Sequence, residues 1–164
     1  MSTLLPLRSC LALPLILIAL NACSTQIELR TAAQQEQFAR EAASQGDWAR
    51  AMRNYAAAAA NVELGHGDIA WQARLQHQAG RAASAACRYD AAEFHFRKAI
   101  ALAQRSGQSS ALGYMALIDL YRRQGRQAEA LAVRNELDRH LSRAPAALAD
   151  TEPLPVGKPC QASP

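Results

Sequence analysis

From Thr31 to Arg143 apolar residues return every three or four positions, and no stretch alternates apolar and polar as a half-buried strand does. The pattern breaks at Gln45-Gly46-Asp47, Gly65-His66-Gly67-Asp68, near Cys87-Arg88, at Ser106-Gly107-Gln108-Ser109 and at Gln124-Gly125-Arg126. Glycine closes helices and Asp opens them, so these are turns, and they divide the region into six helices of ordinary length. Ahead of them Arg8 precedes an apolar run from Leu11 to Ala19. Behind them, Ala144 to Pro164 holds most of the prolines and no helical periodicity after Leu148, which predicts a disordered or loosely docked tail.

The helices repeat. Gly46-Asp47-Trp48-Ala49-Arg50-Ala51, ending in Tyr55 and Ala58, aligns with Cys87-Arg88-Tyr89-Asp90-Ala91-Ala92, ending in Phe96 and Ala99. A third copy begins at Gly125 and keeps Ala130, but has Gln127 and Arg134 where the others have aromatics. Each resembles the second half of a tetratricopeptide repeat (TPR). Gly80 falls at that family's close-contact glycine, and Tyr114, Leu117 and Tyr121 match the first half of its repeat. The corresponding helix of the first copy, around Ala33 to Ser44, has no aromatic match and offers Ala39 and Ala42 as its small residues. Ala51, Ala92 and Ala130 are spaced more widely than the usual 34-residue unit, so the extra residues lengthen helices or loops. The resemblance implies an all-α, right-handed helical solenoid of about three helix pairs. Ala51 and Ala92 would sit where paired helices cross, while Tyr55 and Phe96 would fill space against the next repeat. The polar run Arg134-Asn135-Glu136-Leu137-Asp138-Arg139-His140 reads as the solvated cap of the array, with Arg134 and Asp138 placed to pair four residues apart.

The start of the chain carries a second resemblance. Leu20-Asn21-Ala22-Cys23 follows the apolar run directly and is similar to a bacterial lipobox, although Asn21 is an unusual occupant of its position. Ala22 is small enough for a signal peptidase pocket, and the Cys23 thiol would receive a diacylglyceryl group. The apolar run is too short to span a bilayer, which takes about 20 residues. A plain secretory signal with an Ala-x-Ala site is the competing reading. The implied organisation is a signal peptide over 1–22, a lipidated N-terminus with a short linker over 23–30, the TPR-like domain over 31–143 and the Pro-rich tail over 144–164. By the same resemblance, Ser24 after the cysteine directs the protein to the outer membrane, facing the periplasm, because an Asp there is the usual inner-membrane signal.

The formal charge of +4 is too small to argue for nucleic acid, and its arginines outnumber the lysines, which are Lys98 and Lys158 alone. With Cys10 lost and Cys23 acylated, Cys87 and Cys160 remain. They form a disulfide in an oxidising periplasm, or Cys87 is a buried small residue and Cys160 a free thiol.

Nothing in the sequence composes a catalytic site. His66, His77, His95 and His140 show no metal-binding spacing, no phosphate loop or nucleophile elbow is present, and Asp68 reads as a helix cap, so neither cofactor nor metal is expected. In TPR proteins the first helix of each pair lines the concave face. Carried over, that puts Glu36 and Arg40, then Arg74, His77 and Arg81, then Met115, Asp119 and Arg122 toward a groove. The arginines could clamp a carboxylate of a partner protein, or be no more than scattered charges on solvated helices. The expected role is a membrane-anchored scaffold or assembly factor for envelope proteins, similar in organisation to the TPR lipoproteins of pilus secretins and outer-membrane protein assembly. The alternatives are an accessory or regulator of a cell-wall enzyme and a structural lipoprotein with no fixed partner.

Overall fold

A computed structural model describes the backbone of residues 12–143 and the side chains of residues 25–142. Six helices follow one another: α1 (Ala12–Ser44), α2 (Trp48–Leu64), α3 (Ile69–Ala85), α4 (Tyr89–Arg105), α5 (Ala111–Arg123) and α6 (Gln127–Arg143). Each packs against the next in the chain, and no strand occurs among the described residues. The fold is an all-α, TPR-like solenoid of three helix pairs. The first and last stretches of the expected organisation, 1–11 and 144–164, lie outside the described residues.

One turn type connects the helices. The second residue after each of the first five helices has a positive φ: Gly46 (76°), His66 (49°), Cys87 (59°), Gly107 (69°) and Gly125 (73°). At the first turn Asp47 N–H bonds to Ala42 O at 2.9 Å and Gly46 N–H to Ala43 O at 3.0 Å, a Schellman closure. Asp47 and Asp68 then cap the next helices, accepting from Arg50 N–H at 3.0 Å and Ala70 N–H at 2.9 Å. At the second turn the left-handed residue is His66, and the glycines beside it serve packing instead. A Cβ on Gly65 would stand 3.0 Å from Leu29 Cδ2, and one on Gly67 only 2.7 Å.

Alanine makes the pairs close. Ala39 and Ala51, and Ala79 and Ala92, are fully buried, and Ala130 nearly so. Tyr55 and Phe96 are buried in the same continuous core as Leu75, Leu117, Leu120 and Tyr121. At Gly80 an added Cβ would stand 2.6 Å from two atoms of the Phe96 ring, so the absent side chain is what lets that ring in. The closing helix α6 buries Ala130, Val133 and Leu137 and leaves its other face to solvent, with Gln127 and Arg134 exposed. Arg134 and Asp138 approach to 3.8 Å there, an exposed pair of small energetic weight.

The stretch expected as a lipidated N-terminus and short linker is helical. Residues 23–30 continue α1 without interruption, and Leu29 packs on the Gly65–Gly67 turn while Ala32 is fully buried. The docking of Leu29 and Ala32 on α2 and its turn carries the helix back past the point where the repeat pattern begins.

Candidate functional site

Helix α3 packs tightly on α4, but only sparsely on α5. Between α3 and α5 lies a groove of about 760 Å³ whose floor is formed by Ala99, Ile100 and Ala103 of α4. Small residues make the depth: Ala73 faces the groove from α3 and Gly113 from α5. Gly113 carries no side chain because α5 presses onto α4 at this point, and a Cβ there would be 2.5 Å from Ile100 Cγ1. The rim mixes charge and amide with apolar side chains: Trp71, Arg74, His77, Gln78 and Arg81 on one edge, Leu112 on the other. Leu112 is 40% exposed, a large apolar surface for a residue at a groove mouth.

Of the residues expected to line a concave site, Arg74, His77 and Arg81 do so together. Their spacing puts them on one face of α3. Arg81 is 9% exposed and its Nη1 donates to Gln78 Oε1 at 3.3 Å, so it braces the wall rather than reaching outward. His77 lies against Phe96, ring centroids 5.5 Å apart. Arg40 and Arg74 meet at Glu36 instead of awaiting a partner's carboxylate. Glu36 Oε1 lies 2.9 Å from Arg40 Nη2 and 3.7 Å from Arg74 Nη2, and Trp71 Nε1–H donates to its Oε2 at 2.7 Å. This nearly buried carboxylate ties α1 to α3 at the groove's edge and neutralises part of its positive charge. Asp119 and Arg122 do not line the groove: Asp119 pairs with Arg123 at 2.8 Å, and Arg122 is exposed in the last turn of α5. Met115, one turn after Leu112, stays at the surface.

Sequence reasoning missed Trp71, Leu112 and Gly113. Trp71 was legible, standing three residues before Arg74 on the same helix face. Gly113 was not, since it falls outside the repeat's own glycine position and answers to Ile100 of the preceding helix.

A second polar cluster joins α4 to the α5–α6 turn. Arg97 donates to Tyr121 Oη at 2.8 Å and to Glu93 at 3.0 Å, Arg126 reaches Glu93 at 3.3 Å, and the Arg126 guanidinium lies 4.4 Å above the Tyr121 ring. Burial works to raise the Glu93 pKa, but the hydrogen bonds from Tyr121 and Arg97 and the two cations outweigh it and hold Glu93 below the ordinary carboxylate value. Burial, and then Glu93, push Tyr121 up. Each donor has an acceptor inside the cluster, which makes it a clasp between helix pairs. His95 is likewise enclosed, 2.7 Å from Gln76, with its pKa lowered first by burial and then by Lys98. Among the described residues no group of three His, Cys, Asp or Glu side chains is placed to hold a metal ion.

Cys87 is not the buried small residue that one reading of the sequence allowed. It is exposed, in the left-handed position after α3, and disulfide-bonded. Its partner lies outside the described side chains. Cys23 belongs to the opposite end of the bundle, beyond Leu29 and the Gly65–Gly67 turn, while Cys87 sits at the turn between α3 and α4. Non-reducing digestion of the mature protein is therefore expected to yield one peptide linking Cys87 to Cys160. Recovery of Cys160 as a free, alkylated thiol would refute that pairing.

No helix among the described residues is long and apolar enough to cross a membrane. Comparison of the chain with protein-family models, curated proteins and solved structures found no match.

Proposed function

We propose that this chain is an outer-membrane lipoprotein, anchored through Cys23, whose TPR-like groove holds a segment of another envelope protein and so acts as a scaffold or assembly factor. The observation that carries the reading is the groove between α3 and α5, with an apolar floor at Ala99, Ile100 and Ala103 and a rim of Arg74, His77, Gln78 and Leu112. A site of this kind suits an extended chain that inserts small apolar side chains and offers a carboxylate to the edge. The lipobox-like Leu20-Asn21-Ala22-Cys23 and Ser24 support the address. The disulfide at Cys87 supports an oxidising compartment. Secretin, pilus and outer-membrane protein assembly are the settings that match this organisation.

The groove is tested with substitutions that spare the core. Arg81 is unsuitable, being nearly buried, whereas Arg74 and Leu112 are exposed. A photo-reactive side chain at Met115, beside the groove mouth, should give a discrete protein adduct in membranes. Arg74→Ala with Leu112→Asp should weaken that adduct by about tenfold, roughly 1.4 kcal/mol, with helicity unchanged. Undiminished adduct in the double variant would count against the groove as the binding surface.

A further inference from the structure

The lipid anchor and the domain share one helix. Cys23 lies within α1, and Leu29, only six residues on in the same helix, already docks on the domain at the Gly65–Gly67 turn. Six helical residues span about 9 Å. The polar layer on each side of a bilayer's hydrocarbon is about 5–8 Å thick. A domain joined to its acyl chains this way has no slack to stand clear of the surface.

The end of the domain that this brings down carries exposed apolar side chains. Ile27 is 58% exposed and adjoins Glu28, whose Cβ would be 3.1 Å from a Cβ on Gly65. Leu64, directly before Gly65, is 65% exposed. Both therefore flank the same α2–α3 turn. Beside Leu64, Glu63 pairs with Lys98 at 3.4 Å, and the other charges at the turn, Glu28 and Asp68, are acidic.

Resting on the lipidation of Cys23, we propose that Ile27, Leu64 and the α2–α3 turn form a membrane-contact surface that seats the domain directly on the leaflet holding its acyl chains. The surface inserts two aliphatic side chains among the headgroups and does not depend on anionic lipid. Asp68 and Ser109, from the two turns at this end, also line the groove. The groove consequently opens close to the bilayer, and the segment it takes is one that emerges next to the membrane.

The test uses the acylated, full-length mature protein in phosphatidylcholine vesicles carrying a detectable phospholipid. Benzoylphenylalanine is placed at Ile27, at Leu64, or at Leu131, which is exposed near the opposite end of the bundle. Several-fold more lipid adduct at Ile27 and Leu64 than at Leu131 is expected, and it should persist in high salt. Inserting about twelve Gly and Ser residues after Ser24, a flexible coil, should remove the difference. Equal adduct at all three sites, or none at Ile27 and Leu64, overturns the proposal if mass spectrometry of the same sample finds Cys23 acylated. An unacylated Cys23 overturns the lipidation reading along with it.

Discussion

Gly80→Val is expected to destabilise the domain by about 1–3 kcal/mol, toward the upper end of what overpacking costs. The new Cβ alone would sit 2.6 Å from the Phe96 ring, inside any real carbon–carbon contact. Phe96 is fully buried and cannot swing into solvent to make room. Relief must come from α3 moving off α4, which would also loosen Ala79 and Ala92 at the crossing. Replacing a helix-interior glycine by Ala ordinarily gains about 0.5–1 kcal/mol, and by Val less but still a gain, so a net loss isolates the steric term. Thermal melts by circular dichroism measure the effect. Pairing the change with Phe96→Leu should show favourable coupling, the double variant being more stable than the sum of the single losses. An unchanged melting temperature would mean that Gly80 does not face Phe96 and that the repeat register is misplaced.

Cys23→Ser is expected to abolish acylation altogether and to release the protein or stall it unprocessed. Thioether formation needs the sulfur, and a serine oxygen at that position does not replace it. Each buried CH₂ contributes about 0.8 kcal/mol, so losing two or more acyl chains removes far more binding than Ile27 and Leu64 can supply. Incorporation of a fatty-acid analogue, followed by separation of membrane and soluble fractions, decides the matter. Equal label on the serine variant would sink the lipoprotein reading. Label lost while processed protein, cleaved of residues 1–22, remains fully membrane-bound would mean that something other than the anchor holds it there.

The six helices and their turns were legible in the chain itself. Apolar spacing, closing glycines and capping Asp are local signals, and Ala51, Ala92 and Ala130, which the pattern singled out as small, are buried. The same locality explains why Arg134 and Asp138 could be paired in advance, four residues apart on one helix. The groove was legible only in part. A repeat pattern indicates which face of a helix is concave, and so it brought Arg74, His77 and Arg81 together. It does not reveal what stands opposite that face. Glu36 holds Arg40 within its own helix, four residues on, but its meetings with Arg74 and Trp71 of α3 join residues more than thirty positions apart. Gly113 is glycine because of Ile100 on another helix, and residues 23–30 are helical in a structure where Leu29 finds the Gly65–Gly67 turn. Cys87 took its exposed, left-handed place from the end of α3. Secondary structure follows from interactions within a few residues and is written along the chain. Partners across helices depend on where whole elements pack, and that was decided only when the solenoid closed.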